Sequence, residues 1–251
     1  MLTVGVSLKL YLDLPTTLAW CDRVLDLLRD RPGVAAGRIS LWVLPSLPAV
    51  PAVLKRARGT ALGVGAQDLF WADRGPYTGA VSGTDLAALG CRYVTVGHAE
   101  RRRYFGEDDA AVAAKTAAAL RAGLTPVVCV GEAEPGSAAV AAAECVRQLD
   151  HALTGADATP GVIVAYEPHW AIGAPQPATA GHITAVCAAL REHVAGRSGL
   201  GASPVIYGGS AGPGLLSRLD GAVDGLFLGR FAHDPAALAG VLDEADRLVP
   251  A

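Results

Sequence analysis

Lys9, His98 and Glu167 each stand where a run of apolar, β-prone residues ends, and together they offer an ammonium, an imidazole and a carboxylate. Glu167 sits in VIVAYEPHWAIG, immediately before Pro168. A carboxylate there is expected to be partly desolvated, which makes it a stronger general base than a solvated loop acid, the bland alternative. His98 lies in YVTVGHAERRR. A lone histidine is more often a structural residue, yet a neutral imidazole can donate a hydrogen bond to a carbonyl while a base removes the neighbouring proton. Glu100, two residues on, can pair with Lys9 and hold its ammonium in place. Arg101, Arg102 and Arg103 read as a surface and interface cluster.

Two glycine-rich segments add an anion site. YGGSAG, residues 207 to 212, and Leu228-Gly229-Arg230 carry backbone N–H groups that glycine leaves accessible, and residues 212 to 219 can begin a short extra helix. Together with Lys9, His98 and Glu167 these segments form one constellation at the strand ends.

The elements that must bring these groups together recur along the chain. Eight short β-rich runs are expected at 3–9, 39–44, 61–67, 93–97, 125–130, 162–166, 205–207 and 225–229. Most are continuous in Val, Ile, Leu and Ala, as for parallel strands covered on a second face. The segment 17–29 places Leu18, Cys21, Val24, Leu25 and Leu28 on one helical face, and 108–122, 138–153, 179–195 and 236–249 follow the same pattern. Eight such units in 251 residues fit a single (β/α)8 barrel spanning 1–251, although a doubly wound open sheet alternates in the same way. In either architecture the carboxyl ends of the strands converge on the ligand.

Composition narrows the function further. A chain 51% hydrophobic and 18% charged is too apolar for a disordered polymer. The uncharged run 39–54 is broken by Pro45, Pro48 and Pro51, so no membrane span is expected, and the N-terminus lacks the basic flank of a secretion signal. A formal net charge of −3 offers no footprint for nucleic acid. Five scattered cysteines without a C-x-x-C pair argue against a disulfide framework or a zinc site and suit reduced thiols in the cytoplasm.

The segments VGVSLKL, VGAQDLFWADRGPYTG, YVTVGHAERRRYFGE, TPVVCVGE, VAYEPHWAIG, VIYGGS and DGLFLG stand in this order between residues 4 and 229. With them the chain resembles the triosephosphate isomerase family. The resemblance implies a (β/α)8 barrel, usually a homodimer, that interconverts small aldose and ketose phosphates without cofactor or metal. It assigns Glu167 as base, His98 as electrophile, Lys9 as the lysine facing the substrate and Glu100 as its buried partner. It makes 168–179 a mobile lid, makes Gly173, Ser210 and Gly229 phosphate contacts, and makes 67–79 a loop reaching into a neighbouring subunit with Thr78 near its tip.

Departures from the family pattern gather at the same place. Ser7 replaces an asparagine and leaves space near the reacting end, and Leu8 replaces a tryptophan. Pro175-Gln176-Pro177 stiffens the second hinge of the lid, since each proline fixes φ and restricts its predecessor. Arg230 replaces a glycine and either forks onto a phosphate or points outward while the backbone contact survives. Ala80 replaces a glutamate and His169 a valine. This combination is most similar to a branch of the family that acts on four-carbon ketose phosphates, the erythrulose phosphates of erythritol breakdown. The glycolytic three-carbon reaction is the alternative, and a non-catalytic phosphate-binding barrel a more distant one.

Overall fold

The computed structural model describes residues 1–156 and 161–249. Eight parallel strands close on themselves in sequence order: β1 (Leu2–Ser7), β2 (Ile39–Leu44), β3 (Gly63–Ala66), β4 (Tyr93–Val96), β5 (Thr125–Val130), β6 (Ile163–Tyr166), β7 (Val205–Tyr207) and β8 (Gly225–Leu228). The last pairing, Thr3 with Gly225 through Val6 with Leu228, shuts the barrel and rules out the open doubly wound sheet. All eight expected runs are strands. Five are shorter than expected: β4, β6 and β8 each lose one terminal residue, β1 ends at Ser7 and leaves Lys9 in the turn beyond it, and β3 occupies only the middle of 61–67.

Helices α1 (Leu14–Leu28), α2 (Pro32–Ala35), α3 (Val50–Ala57), α4 (Gly83–Leu89), α5 (Ala99–Phe105), α6 (Asp109–Arg121), α7 (Ala138–Ala152), α8 (Ala180–Ala195), α9 (Leu215–Leu219) and α10 (Pro235–Leu248) surround the strands. Asp13, Ser82, Asp108, Ser137, Thr179 and Asp234 accept backbone N–H groups at helix starts. Such caps satisfy otherwise orphaned donors and fix where each strand-end loop turns back. The short helix after the seventh strand starts at Leu215 and not at 212, because Gly214 takes a left-handed conformation just before it.

The barrel interior is a separate apolar cluster that includes Trp42, Val127, Ile163, Ile206 and Phe227. Gly5 is paired with Trp42 on one side and Phe227 on the other. A Cβ at Gly5 would lie 2.2 Å from the Trp42 ring, so the indole occupies the space a side chain would take. Side chains alternate along a strand, and Ser7, two residues on, therefore also faces inward, one layer above Trp42 at the mouth of the barrel. A plug of this size holds the floor of that mouth rigidly, since emptying such a position costs about 3–5 kcal/mol.

Beside the fourth strand a buried charge network joins three segments. Lys115 donates to Asp68 and Glu107, each at 2.6 Å, and Arg101 reaches the same two carboxylates at 2.8 and 2.7 Å. Arg101, expected at the surface, is thus partly buried in this network. Its partners tie α5, α6 and the loop after β3 to one another.

Candidate active site

Cavity and base. At the carboxyl ends of the strands lies a cavity of about 160 Å³ whose lining includes Ser7, Lys9, His98, Glu167, Ser210 and Gly229. Glu100, Gly173 and Arg230, the other residues assigned to the ligand site from the sequence, are in that lining too. Glu167 follows β6, with its backbone N–H donated to Val130 O at 2.8 Å. Its carboxylate is 6% exposed, and Oε2 has no hydrogen-bond partner among the described residues. Gly208 makes room for it, because a Cβ there would stand 2.6 Å from Glu167 Oε1. The Cys129 thiol also lies against it, held well above the ordinary thiol range by burial first and by the Glu167 charge second.

The imidazole. His98 caps α5 with its ring: Nδ1 accepts the Glu100 N–H at 3.1 Å. That contact commits the Nδ1 lone pair, so in the neutral ring the hydrogen sits on Nε2. Nε2 faces the cavity, 3.6 Å from Glu167 Oε2. Arg102 donates to the Gly97 carbonyl at 3.1 Å and steadies the turn from the other side.

The lysine and the glutamate. Lys9 adopts a left-handed backbone conformation, φ 47°. Non-glycine residues rarely occupy this region, and here the surroundings hold it. Gln67 donates to the Lys9 and Leu44 carbonyls at 2.9 and 3.0 Å, fixing the turn. The ammonium meets Glu100 Oε1 at 2.7 Å. Glu100 was expected to be buried, but its side chain is 40% exposed. One side of it opens onto a surface recess of about 190 Å³ lined by Lys9, Leu10, Tyr11 and Glu100.

The glycine loops and residues 168–179. Ser210 is left-handed at φ 54°, and the N–H groups of Gly173, Ser210 and Gly229 donate to no backbone carbonyl among the described residues. All three residues line the cavity, where unpaired amides suit an anion. The Ser210 hydroxyl is engaged elsewhere, between the Ala171 and Ala174 carbonyls at 2.9 and 2.6 Å. Tyr207 accepts the Ala178 N–H at 3.1 Å and donates to Gly209 O at 3.0 Å. Residues 168–179 are thereby clasped over the cavity. Arg230 is exposed at the rim, in contact with the cavity and in no ion pair among the described residues.

Several contributors had no sequence signal. Gln67 carries no signal beyond ending the 61–67 run and starting the 67–79 loop. Ile172, Phe227 and Phe231 line the cavity although nothing in their local patterns distinguishes them from core or surface residues. His233 lies tilted against Tyr11 with ring centroids 5.2 Å apart, and burial lowers its pKa. Burial likewise holds His169, at the first hinge that the family resemblance implies for 168–179, below the ordinary histidine range. Among the described residues no cluster of three metal-ligating side chains occurs, and no helix is long and apolar enough to cross a membrane.

The family profile for triosephosphate isomerase matches residues 2–245. The chain is 52% identical to the L-erythrulose-1-phosphate isomerase of Pectobacterium atrosepticum over 247 residues, covering 97% of this chain and 95% of that one. It is 39% identical to the L-erythrulose-1-phosphate isomerase of Rhizobium etli, covering 96% and 90%. It is 41% identical to the triosephosphate isomerase of Moorella thermoacetica over 220 residues, covering 85% and 88%.

Proposed function

The chain belongs to the triosephosphate isomerase family of sugar-phosphate isomerases, and from that premise we propose that its substrate is a four-carbon ketose phosphate, an erythrulose phosphate, whose carbonyl moves between the two central carbons. Glu167 takes the proton from the carbon beside the carbonyl. The electron pair left on that carbon forms the enediolate, whose oxygen receives the Nε2 hydrogen bond of His98 and the charge of Lys9. The hydroxyl hydrogen passes to the former carbonyl oxygen, and return of the proton from Glu167 to the former carbonyl carbon completes the exchange. No outside oxidant or reductant enters, because one carbon is oxidised as its neighbour is reduced.

The observation that carries this reading is the buried, unpaired Oε2 of Glu167, 3.6 Å from the Nε2 edge of His98, in one cavity with the Gly173, Ser210 and Gly229 amides. Glu100 positions Lys9 through their ion pair. The amides take the phosphate, with Arg230 beside Gly229 as a further cation. Residues 168–179 are its lid, and closing them removes water, which strengthens the electrostatic contacts and protects the enediolate.

Two features favour four carbons over three. A tetrulose phosphate carries a hydroxymethyl group on the reacting carbon that a triose lacks. Ser7 is a short inward-facing residue at the cavity and leaves room for that group. The greater identity to the Pectobacterium enzyme, over nearly the whole chain, points the same way.

The reading includes a homodimer formed through 67–79. Arg74 braces that loop on Ser82, Thr84 and Asp85, and Phe70 stacks on Trp71 at 4.0 Å, so its tip is presented in a set shape. The recess beside Lys9 and Glu100 is open to receive such a tip from a partner. A cytoplasmic setting is supported by five free, buried thiols.

The test is an isomerase assay comparing dihydroxyacetone phosphate with both erythrulose phosphates. A kcat/KM at least tenfold higher for an erythrulose phosphate is expected, a difference of about 1.4 kcal/mol in the barrier. The opposite ratio makes the chain a triosephosphate isomerase. Absence of turnover and of solvent proton exchange with all three removes the assignment of base and electrophile.

A further inference from the structure

Glu132 lies in the loop after β5, 6% exposed, and three side chains converge on its Oε1. Trp170, from the first part of 168–179, donates its indole N–H at 2.9 Å. Tyr166, the last residue of β6, donates its hydroxyl at 3.1 Å. His182, in the first turn of α8, approaches with Nε2 at 3.2 Å and stands 2.9 Å from the same Tyr166 oxygen. The Glu132 carbonyl also accepts the His169 N–H at 2.9 Å, so the first hinge is fastened to this residue twice.

The hydrogens in this group can be assigned. Tyr166 has one hydroxyl hydrogen, and its phenol stays protonated because burial first, and the Glu132 charge second, hold it far above its ordinary range. If Tyr166 gave that hydrogen to His182, Nε2 would turn a lone pair toward the Glu132 carboxylate, which is repulsive at 3.2 Å. If Tyr166 gives it to Glu132, then Nε2–H of His182 donates to the Tyr166 oxygen and to Oε1, and every contact is attractive. The second arrangement requires a hydrogen on Nε2, which both the neutral Nε2–H tautomer and the imidazolium provide.

His182 also sits just past the second hinge. Its backbone N–H is capped by Thr179 at 3.3 Å, immediately after Pro177 and Ala178. Its ring packs between Tyr166, at 6.4 Å, and Trp170, at 6.0 Å. We propose that His182 is a positioning residue that ties the second hinge of the lid to the carboxylate anchoring the first, so that the two ends of 168–179 settle together when the lid shuts. The role rests on the reading of 168–179 as a lid and holds whichever phosphorylated sugar is turned over. Because the anchor belongs to neither hinge, losing the His182 donor leaves Trp170 with a less firmly oriented acceptor.

The experiment labels the tryptophans with 5-fluorotryptophan, assigns the Trp170 resonance by its loss in Trp170→Phe, and follows it by fluorine NMR during titration with glycerol 3-phosphate. Two variants are compared: His182→Phe keeps a packed ring and removes the nitrogen donor, and His182→Gln restores an N–H at similar reach. In the unsubstituted protein the Trp170 resonance should move on binding. In His182→Phe the bound resonance should lose intensity or broaden, with glycerol 3-phosphate affinity and kcat/KM each down roughly tenfold, as for loss of one hydrogen bond to a charged group. His182→Gln should return all three to within about twofold of the unsubstituted protein. A His182→Phe variant with an unaltered Trp170 response and kcat/KM overturns the proposal even if its melting temperature falls. Failure of the glutamine to rescue overturns it as well. A Trp170 resonance in the unsubstituted protein that ignores the ligand removes the lid reading itself, and the proposal with it, while leaving the isomerase assignment standing.

Discussion

The Nε2 edge of His98 stands 3.6 Å from Oε2 of Glu167, with both side chains almost wholly removed from solvent. The opposite edge of the imidazole is committed to the Glu100 backbone, so the ring has one hydrogen to offer and offers it toward the carboxylate's side of the cavity. Both groups border the same cavity, so one small ligand there can touch the carboxylate and the imidazole together.

Replacing Glu167 by glutamine keeps the shape and removes the carboxylate proposed as the base. Turnover should fall at least a thousandfold, about 4 kcal/mol of barrier. Affinity for glycerol 3-phosphate should stay within roughly tenfold, because the anion is held by other groups. Steady-state kinetics with calorimetric titration check both, and undiminished turnover would take the role of base away from this residue.

Gly208→Ala tests the room left for the base. The added methyl would meet Glu167 Cγ and Oε1 at 2.6 Å, so the carboxylate must shift. A displacement of this kind should cost roughly a hundredfold in kcat with a much smaller change in KM. Overpacking should also lower stability by about 1–3 kcal/mol. Unchanged kcat in a folded variant would mean that the carboxylate is not held where the chemistry needs it.

Arg230→Gly tests the rim cation. If the guanidinium helps choose the ligand, the ratio of kcat/KM for erythrulose phosphate to that for dihydroxyacetone phosphate should fall by roughly tenfold, the contribution of one charge-assisted contact. Competition assays with mixed substrates read the ratio directly. A ratio that does not move assigns the phosphate to the backbone amides alone.

The buried thiols give an alkaline signature. Burial pushes Cys21 and Cys91 from the ordinary 9.0 to about 11, and Cys187 to about 12. In the unfolded chain the same thiols ionise near their ordinary value. Their contribution to stability is therefore intact below about pH 9 and declines as pH rises toward 11 and 12. Melting temperature should drop across that window, and a thiol reagent should label the native protein slowly at pH 7. Rapid labelling of all five cysteines without unfolding would contradict their burial.

Much of this protein is legible in one dimension. The eight β runs announce themselves because strands covered on both faces must be apolar throughout, and the helices because one stripe of each must be. Glu167, His98, Lys9 and the glycine loops were legible for a related reason: they follow the strands directly, and strand ends in such folds converge on the ligand. Local order along the chain was enough to find them.

What the tertiary structure alone decided are relationships between residues far apart in sequence. Closing the barrel puts the Trp42 indole into the space beside Gly5 and so sets the depth at which Ser7 meets the cavity. It brings Gln67 under the Lys9 carbonyl, Tyr207 and Ser210 onto residues 168–179, and His182 onto Glu132. It also leaves Glu100 half open where burial was expected. None of these follows from periodicity, which reports which face of an element turns inward and says nothing about which partner waits there. That partner is chosen by register and by packing around the closed ring of strands.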